Sequence, residues 1–264
     1  MEPKVTYVIT NYNYGRYLEQ AIQSLLLQTF HEIEVIVVDD NSTDSSGEVL
    51  ERYVNHDRVI VVRHQQNLGN RYGDNEGIAL ARGEYVGTLD ADDFALQLDV
   101  VGRQVDLLDD HEDMGFVYTA YNFVDESGTV YRQFRPWPAD YVQDGLTEFA
   151  QLINGNYISH SGTLARGSFL RSIGGYDVAM PFAGDFDLWL RMCTRYSVGY
   201  LSDALYAYRI HRASMSRAGV SPHTASGELA RAVARGFDSL PATAPLELRR
   251  RRGASIRLAL LATS

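Results

Sequence analysis

Residues 34–46, EVIVVDDNSTDSS, decide the architecture. The four β-branched residues Val35 to Val38 form a short run, apolar on both faces, which predicts a fully buried strand. Asp39 and Asp40 close the run. Ser42 to Ser46 then offer several N-caps for a helix that would gather Val49, Leu50, Tyr53 and Val54. Upstream, Lys4 to Thr10 (KVTYVIT) reads as another strand, and YLEQAIQSLLLQ places Leu18, Ile22, Leu25 and Leu26 on one helical face. Downstream come a third strand, RVIVVRH, a short helix from Glu76 to Ala81, and a fourth strand, EYVGTL. Strands alternating with helices predict a mostly parallel α/β sheet with helices on both faces. Ligands of such sheets bind beyond the carboxyl ends of the strands.

Three polar clusters fall at those ends: Thr10-Asn11-Tyr12-Asn13, Asp39-Asp40-Asn41, and the acids of GTLDADDFALQ, which are Asp90, Asp92 and Asp93. Two carboxylates ~4 Å apart repel by roughly 4 kcal/mol at an effective dielectric of ~20. Solvent could offset that on an open loop. A hard divalent cation such as Mg²⁺ or Mn²⁺ is the alternative. Three clusters on one sheet edge favour a binding site. The acids do not form an EF-hand, because its glycine turn and terminal Glu are missing.

Beyond residue ~110 the pattern changes. GFVYTAYNFVDESGTVYRQF reads as a hairpin turning at Glu126-Ser127-Gly128, followed by a Pro-Trp-Pro loop and a helix near Leu146 to Ile153. YISHSGTLA, a helix at Ser168 to Ile173, a Gly174-Gly175 stop and the helix DFDLWLRMC complete an antiparallel addition. From about Ala218 the chain is alanine- and arginine-rich, with Arg249 to Arg252 consecutive, and it ends inside an apolar helical pattern, as a piece of a longer chain would. This tail either packs as a solvated helix or lies on an anionic membrane surface.

The chain has 264 residues, 45% of them hydrophobic, with net charge −10, which suits a folded enzyme-sized domain and not a nucleic-acid binder. A single cysteine, Cys193, excludes an internal disulfide and a thiol-rich metal site. No signal peptide opens the sequence, and no apolar stretch approaches the ~20 residues a membrane span needs. These features predict a cytoplasmic protein, with the basic tail as its one route to the inner membrane face.

The segments VTYVITNYNYGRYLEQAIQSLLLQTFHEIEVIVVDDNSTDSS, NLGN, NEGIALARGEYVGTLDADD and LARGSFLRSIGGYDVAMPFAGDFDLWLRM together resemble the family-two inverting nucleotide-sugar glycosyltransferases of GT-A fold. The resemblance covers about the first 215 residues. It implies a GT-A domain over 1–217, with a nucleotide-sugar-binding half (1–110), an acceptor half (111–217) and a helical tail (218–264). Two positions depart from the family pattern. Asp74 stands where a basic residue is common, with Arg71 nearby, and Gly184-Asp185 stands where Glu-Asp is usual.

The resemblance also implies roles. Asp40 would accept the imide N–H of a uracil-type base, favouring a UDP-sugar, although an Asp there also caps helices. Thr10, Asn11 and Tyr12 would face the base, Arg71 the diphosphate and Asp90 the ribose. Asp92 would hold a divalent metal, Mn²⁺ or Mg²⁺, with Asp93 sharing it or orienting the loop. His211, in YRIHRASMS, would join the metal. Asp185 would be the general base taking a proton from a hydroxyl of a glycan or glycolipid acceptor, as in bacterial surface polysaccharide synthesis, unless it only caps its helix. A sugar-nucleotide nucleotidyltransferase would share the carboxylates and metal but needs a glycine-rich basic loop after the first strand, which NYNYGRY is not. A catalytically inactive sugar-nucleotide binder remains the non-enzyme alternative.

Overall fold

The structure is a computed structural model describing residues 2–212, 214 and 221–261. Its first half contains β1 (Val5–Asn11), α1 (Gly15–Leu26), β2 (Ile33–Asp39), α2 (Ser46–Glu51), β3 (Val59–Arg63), α3 (Asn70–Leu80), β4 (Tyr85–Asp90), the two-residue β5 (Phe94–Ala95) and α4 (Val100–Asp109). The second contains β6 (Met114–Val124), β7 (Val130–Phe134), β8 (Tyr141–Gln143), α5 (Gly145–Leu152), β9 (Thr163–Arg166), α6 (Gly167–Ser172), α7 (Gly184–Cys193) and β10 (Ser197–Arg209). Helices α8 (Pro222–Asp238), α9 (Leu246–Arg250) and α10 (Arg252–Leu261) follow.

The main sheet path runs β3-β2-β1-β4-β9-β6-β10-β5, with β7 beside β6 and β8 beside β10. Strands β3, β2, β1 and β4 are mutually parallel, as their unbroken apolar runs require. Antiparallel β9 joins this block to the parallel pair β6–β10. Side chains of β1 alternate between two cores. Val5, Tyr7 and Ile9 pack with α1 and α4, while Val8 faces the helices of the other side, including α5, α7 and α8.

Several boundaries differ from the sequence expectation. Helix α3 starts at Asn70 and not at Glu76, because glycines 73 and 77 weaken the helical signal while serving close packing. A Cβ at residue 77 would lie 2.3 Å from Val8 Cγ1. Gly77→Ala should therefore lower stability by about 1–2 kcal/mol despite alanine's better helix propensity, since a β-branched strand neighbour cannot retreat. Urea denaturation would show it as a lower midpoint at unchanged slope; a raised midpoint would contradict this packing. Helix α4 and the thirteen-residue β10 have no counterpart in the sequence reading. Register shifts around Ala204 break β10's two-residue alternation, which hides the strand.

The C-terminal helices pack onto the domain. Ala232, Val233, Phe237, Leu240 and Leu248 share one core with α5 and α7. The basic run is engaged within the chain. Arg249 donates to the carbonyls of Ala244 and Pro241, Arg251 to Ala150 O at 2.9 Å, and Arg252 pairs with Asp238 at 2.8 Å. Arg250 meets Glu247 at 3.4 Å. Among the described residues no helix is long and apolar enough to cross a membrane.

Candidate active site

Parallel pairing places the ends of β1, β2 and β4 side by side, with Asn11 opposite Asp39 and Thr10 opposite Asp90. The turns beyond them are built by short polar side chains. Asn13 and Asn41 take positive φ, which asparagine tolerates well. Asn11 Nδ2 donates to Asp39 Oδ1 at 2.6 Å and to Ser42 Oγ at 3.1 Å. Asp39 is therefore a turn residue. Asp40 is a strut and a cavity residue at once: Oδ1 accepts from Leu68 N at 2.7 Å, Oδ2 from Gly69 N at 2.8 Å, and His64 Nδ1 sits 2.8 Å from Oδ1. It thereby fixes the loop that starts α3. A carboxylate has about four acceptor positions, so one remains for a ligand.

The acids at the end of β4 each have a different partner. Asp90 lies 3.1 Å from His160 Nδ1 and 3.3 Å from Ser161 Oγ. Burial opposes its charge, but His160 and Arg71 hold it below the usual carboxylate range. Burial also disfavours the charge on His160, yet Asp90 and Asp74 push its pKa up to about 10. These His160 contacts are electrostatic, since neither ring nitrogen makes an aligned hydrogen bond.

Asp92 Oδ2 meets His211 Nε2 at 2.9 Å, joining residues 119 apart in sequence. Asp93 Oδ1 accepts from the backbone N–H of Arg209 at 2.8 Å. Arg209 also donates Nε to the Asp92 carbonyl at 2.7 Å and lies over the Tyr17 ring at 4.5 Å, clamping the acidic turn to the end of β10. Burial, then the neighbouring acids, push Asp93 well above the usual carboxylate range. Burial and Asp90 raise Asp92 as well. Burial and mutual repulsion thus disfavour full ionisation of this turn.

A carboxylate and an imidazole in contact are a donor pair that suits Mn²⁺ better than Mg²⁺, which prefers oxygen ligands. Among the described residues no three His, Cys, Asp or Glu side chains make a complete metal cage. A two-ligand set suits a cation that fills its shell with water and substrate phosphate. Asp93 holds the loop through the Arg209 N–H.

Asp185 occupies the first turn of α7. Its Oδ1 accepts from Phe186 N at 2.7 Å and its Oδ2 from Asn156 Nδ2 at 3.3 Å. Arg71 bridges the two halves: Nη1 pairs with Asp74 at 2.9 Å, Nη2 lies 3.9 Å from Asp185, and the guanidinium covers Tyr176 at 5.1 Å. Asp187 is buried and turned to Arg191 and Arg235, away from Asp185. Trp189 is a core residue.

All ten residues singled out in the sequence except His211 line one cavity of about 750 Å³, and His211 contacts its Asp92 wall. Tyr12 sits at its exposed rim. Apolar side chains of the C-terminal helices, Leu229, Val233 and Leu258, also line it. No spacing or motif in the sequence singles out Arg209 or Asn156. His160 was readable only as a histidine in a polar segment.

A ten-stranded mixed sheet with a polar cavity over its parallel strand ends is the architecture of GT-A glycosyltransferases. The chain superposes on S. aureus TarS 1-349, solved with UDP-GlcNAc, with a TM-score of 0.75 at 21% identity, over 98% of this chain and 72% of that one. Against the Pyrobaculum calidifontis mannosyltransferase PcManGT, solved with GDP-Man and Mn²⁺, the TM-score is 0.67 at 18% identity, over 100% of this chain and 73% of that one. The family model described as Glycosyl transferase family 2 matches residues 6–173, and the chain belongs to that family. The uncharacterized glycosyltransferase MJ1057 of Methanocaldococcus jannaschii is 27% identical over 213 residues, 79% of this chain and 71% of its own length. Three further curated relatives are longer, and the aligned region spans 26–44% of their lengths.

Proposed function

We propose that this glycosyltransferase domain is inverting and metal-dependent, and that it moves a sugar from a UDP-sugar to a hydroxyl of a glycan or glycolipid. The observation that carries the reading is that one cavity is lined both by Asp90 and Asp92 at the strand ends, with His211 against Asp92, and by Asp185, which Arg71 approaches to 3.9 Å. Asp40 at the far end of the strand edge would select the base by accepting an imide N–H. A nucleotide in PcManGT that carries guanine and one in TarS that carries uracil leave Asp40 as the discriminating residue to test.

In the reaction, the acceptor oxygen attacks the anomeric carbon as the bond to the diphosphate oxygen breaks. Asp185 takes the acceptor's proton as the new bond forms. A single displacement from the face opposite the leaving group inverts the anomeric centre. Asn156 and the Phe186 N–H hold the Asp185 carboxylate, and Arg71 places a positive charge between donor and base. Asp92 and His211 would hold the divalent cation, which when bound offsets charge developing on the departing diphosphate. Synthesis of a bacterial surface polysaccharide fits this chemistry, in a cytoplasmic setting.

A thermal-shift screen of UDP-, dTDP- and GDP-sugars with and without Mn²⁺ tests the reading. Ligand at ~100 times Kd stabilises by roughly 2.7 kcal/mol. The UDP series should stabilise only with Mn²⁺ present; no stabilisation by any nucleotide sugar would contradict it. Asp40→Ala should raise donor KM about tenfold or more while lowering kcat far less, because a base contact is equal in ground and transition states. It should also lower stability, since the Leu68 and Gly69 N–H groups lose their acceptor. An unchanged donor KM would make Asp40 a strut alone.

A further inference from the structure

The first turn of a helix leaves several N–H groups without intrahelical partners. In α7 no side chain of the capping position fills that need, and the residue there is Ala183. A distant residue instead holds the two N–H groups just before that turn. Glu228, on α8 and almost fully buried, accepts from both Phe182 N and Ala183 N through Oε2, each at 2.9 Å. Seven residues along the same helix, hence on the same face, Arg235 pairs with Asp177 at 2.6 Å and reaches Asp187 at 3.3 Å. Helix α8 therefore grips α7 on either side of Asp185. Its neighbours Leu229 and Val233 form part of the cavity wall. None of these α8 residues lies within the segment that matches the family model.

We propose that Glu228 is a positioning residue for Asp185, so that the C-terminal helix is part of the catalytic apparatus. The proposal rests on the reading of Asp185 as the base. Asp185 Oδ1 accepts from the N–H of the next residue, so its direction follows the first turn of α7. The chain entering that turn is anchored through the two N–H groups that Glu228 holds. A negative charge at a helix start is also favoured by the helix dipole, which makes a buried carboxylate tolerable there. Misplacing a reacting group by about 1 Å can cost on the order of 10² in rate.

The test compares Glu228→Ala and Glu228→Gln in the full chain, using turnover of whichever UDP-sugar the wild type consumes, UDP–Mn²⁺ affinity, and hydrogen exchange of the amides of residues 182–187. Glu228→Ala should lower kcat about 10- to 100-fold with UDP–Mn²⁺ Kd within about twofold of wild type. The 182–187 amides should lose protection in it. Glu228→Gln keeps an oxygen able to accept both N–H groups and should return kcat to within about threefold of wild type. Wild-type kcat per folded molecule in Glu228→Ala, a parallel loss of UDP–Mn²⁺ affinity, or a Gln variant no better than Ala would each overturn the proposal. If Glu228→Ala does not fold, Glu228→Asp replaces it: the shorter side chain keeps the charge but not the reach, and the same fall in kcat is expected. If the wild type turns over no nucleotide sugar, the glycosyl-transfer reading fails separately. Amide protection then decides whether Glu228 anchors this turn, and unchanged protection in the Ala variant overturns that too.

Discussion

Asp185→Asn should abolish most turnover and leave the donor site intact. Asparagine keeps the volume, can accept from Phe186 N through its carbonyl oxygen, and is well tolerated at a helix start. It cannot take a proton from the acceptor, and loss of a general base typically costs ~10²–10⁴ in rate. The expected pattern is a donor Kd within about threefold of wild type and kcat down at least a hundredfold. Calorimetry of donor binding and product formation on the same preparation check it. Near-wild-type transfer would reduce Asp185 to a cap. Asp187 would not inherit the role, because its carboxylate is buried against Arg191 and Arg235.

Asp92→Asn should have a comparably large effect by a different route. The substitution removes a charged oxygen beside His211, where burial and the Asp90 charge already press for a cation. Manganese affinity, read by the paramagnetic resonance of free Mn²⁺, should fall, and donor binding should fall with it. Turnover should drop at least ~100-fold, equivalent to roughly 2.7 kcal/mol of transition-state stabilisation. His211→Ala should weaken Mn²⁺ in the same direction. Asp93→Asn should differ: with its carboxylate on the Arg209 N–H, it should disturb the turn's stability more than metal affinity. Equal Mn²⁺ affinity in wild type and Asp92→Asn would remove the cation from this site.

The strand ends were legible because parallel strands carry unmistakable apolar runs and expose polar residues where they stop. Val35 to Val38 followed by two acids needed no long-range information. The pairing of Asp92 with His211 depended on β10, and its broken alternation at Ser202 to Ala204 left that strand unread. Arg209 and His160 act through contacts that fold topology creates, Arg209 across 116 residues to Asp93 and His160 across 70 positions to Asp90. No local spacing announces such contacts. The partner of Arg71 was equally hidden. In sequence Asp74 looked like a departure from a basic position, whereas in the fold it is the carboxylate that aims the Arg71 guanidinium past Tyr176 toward Asp185. Composition alone left the tail open between a packed helix and a membrane surface. In the fold each of its four arginines has a partner within the chain, and Glu228 on the same tail reaches the start of the helix that carries Asp185.

The most direct test of single-displacement transfer is the configuration of the first-formed product. An α-linked UDP-sugar that the protein turns over with Mn²⁺ would be followed by proton NMR of the anomeric signal, before mutarotation of any released sugar. Attack assisted by Asp185 from the face opposite the diphosphate predicts a β product at first appearance, from acceptor transfer or from slow hydrolysis alike. An α product would contradict the mechanism.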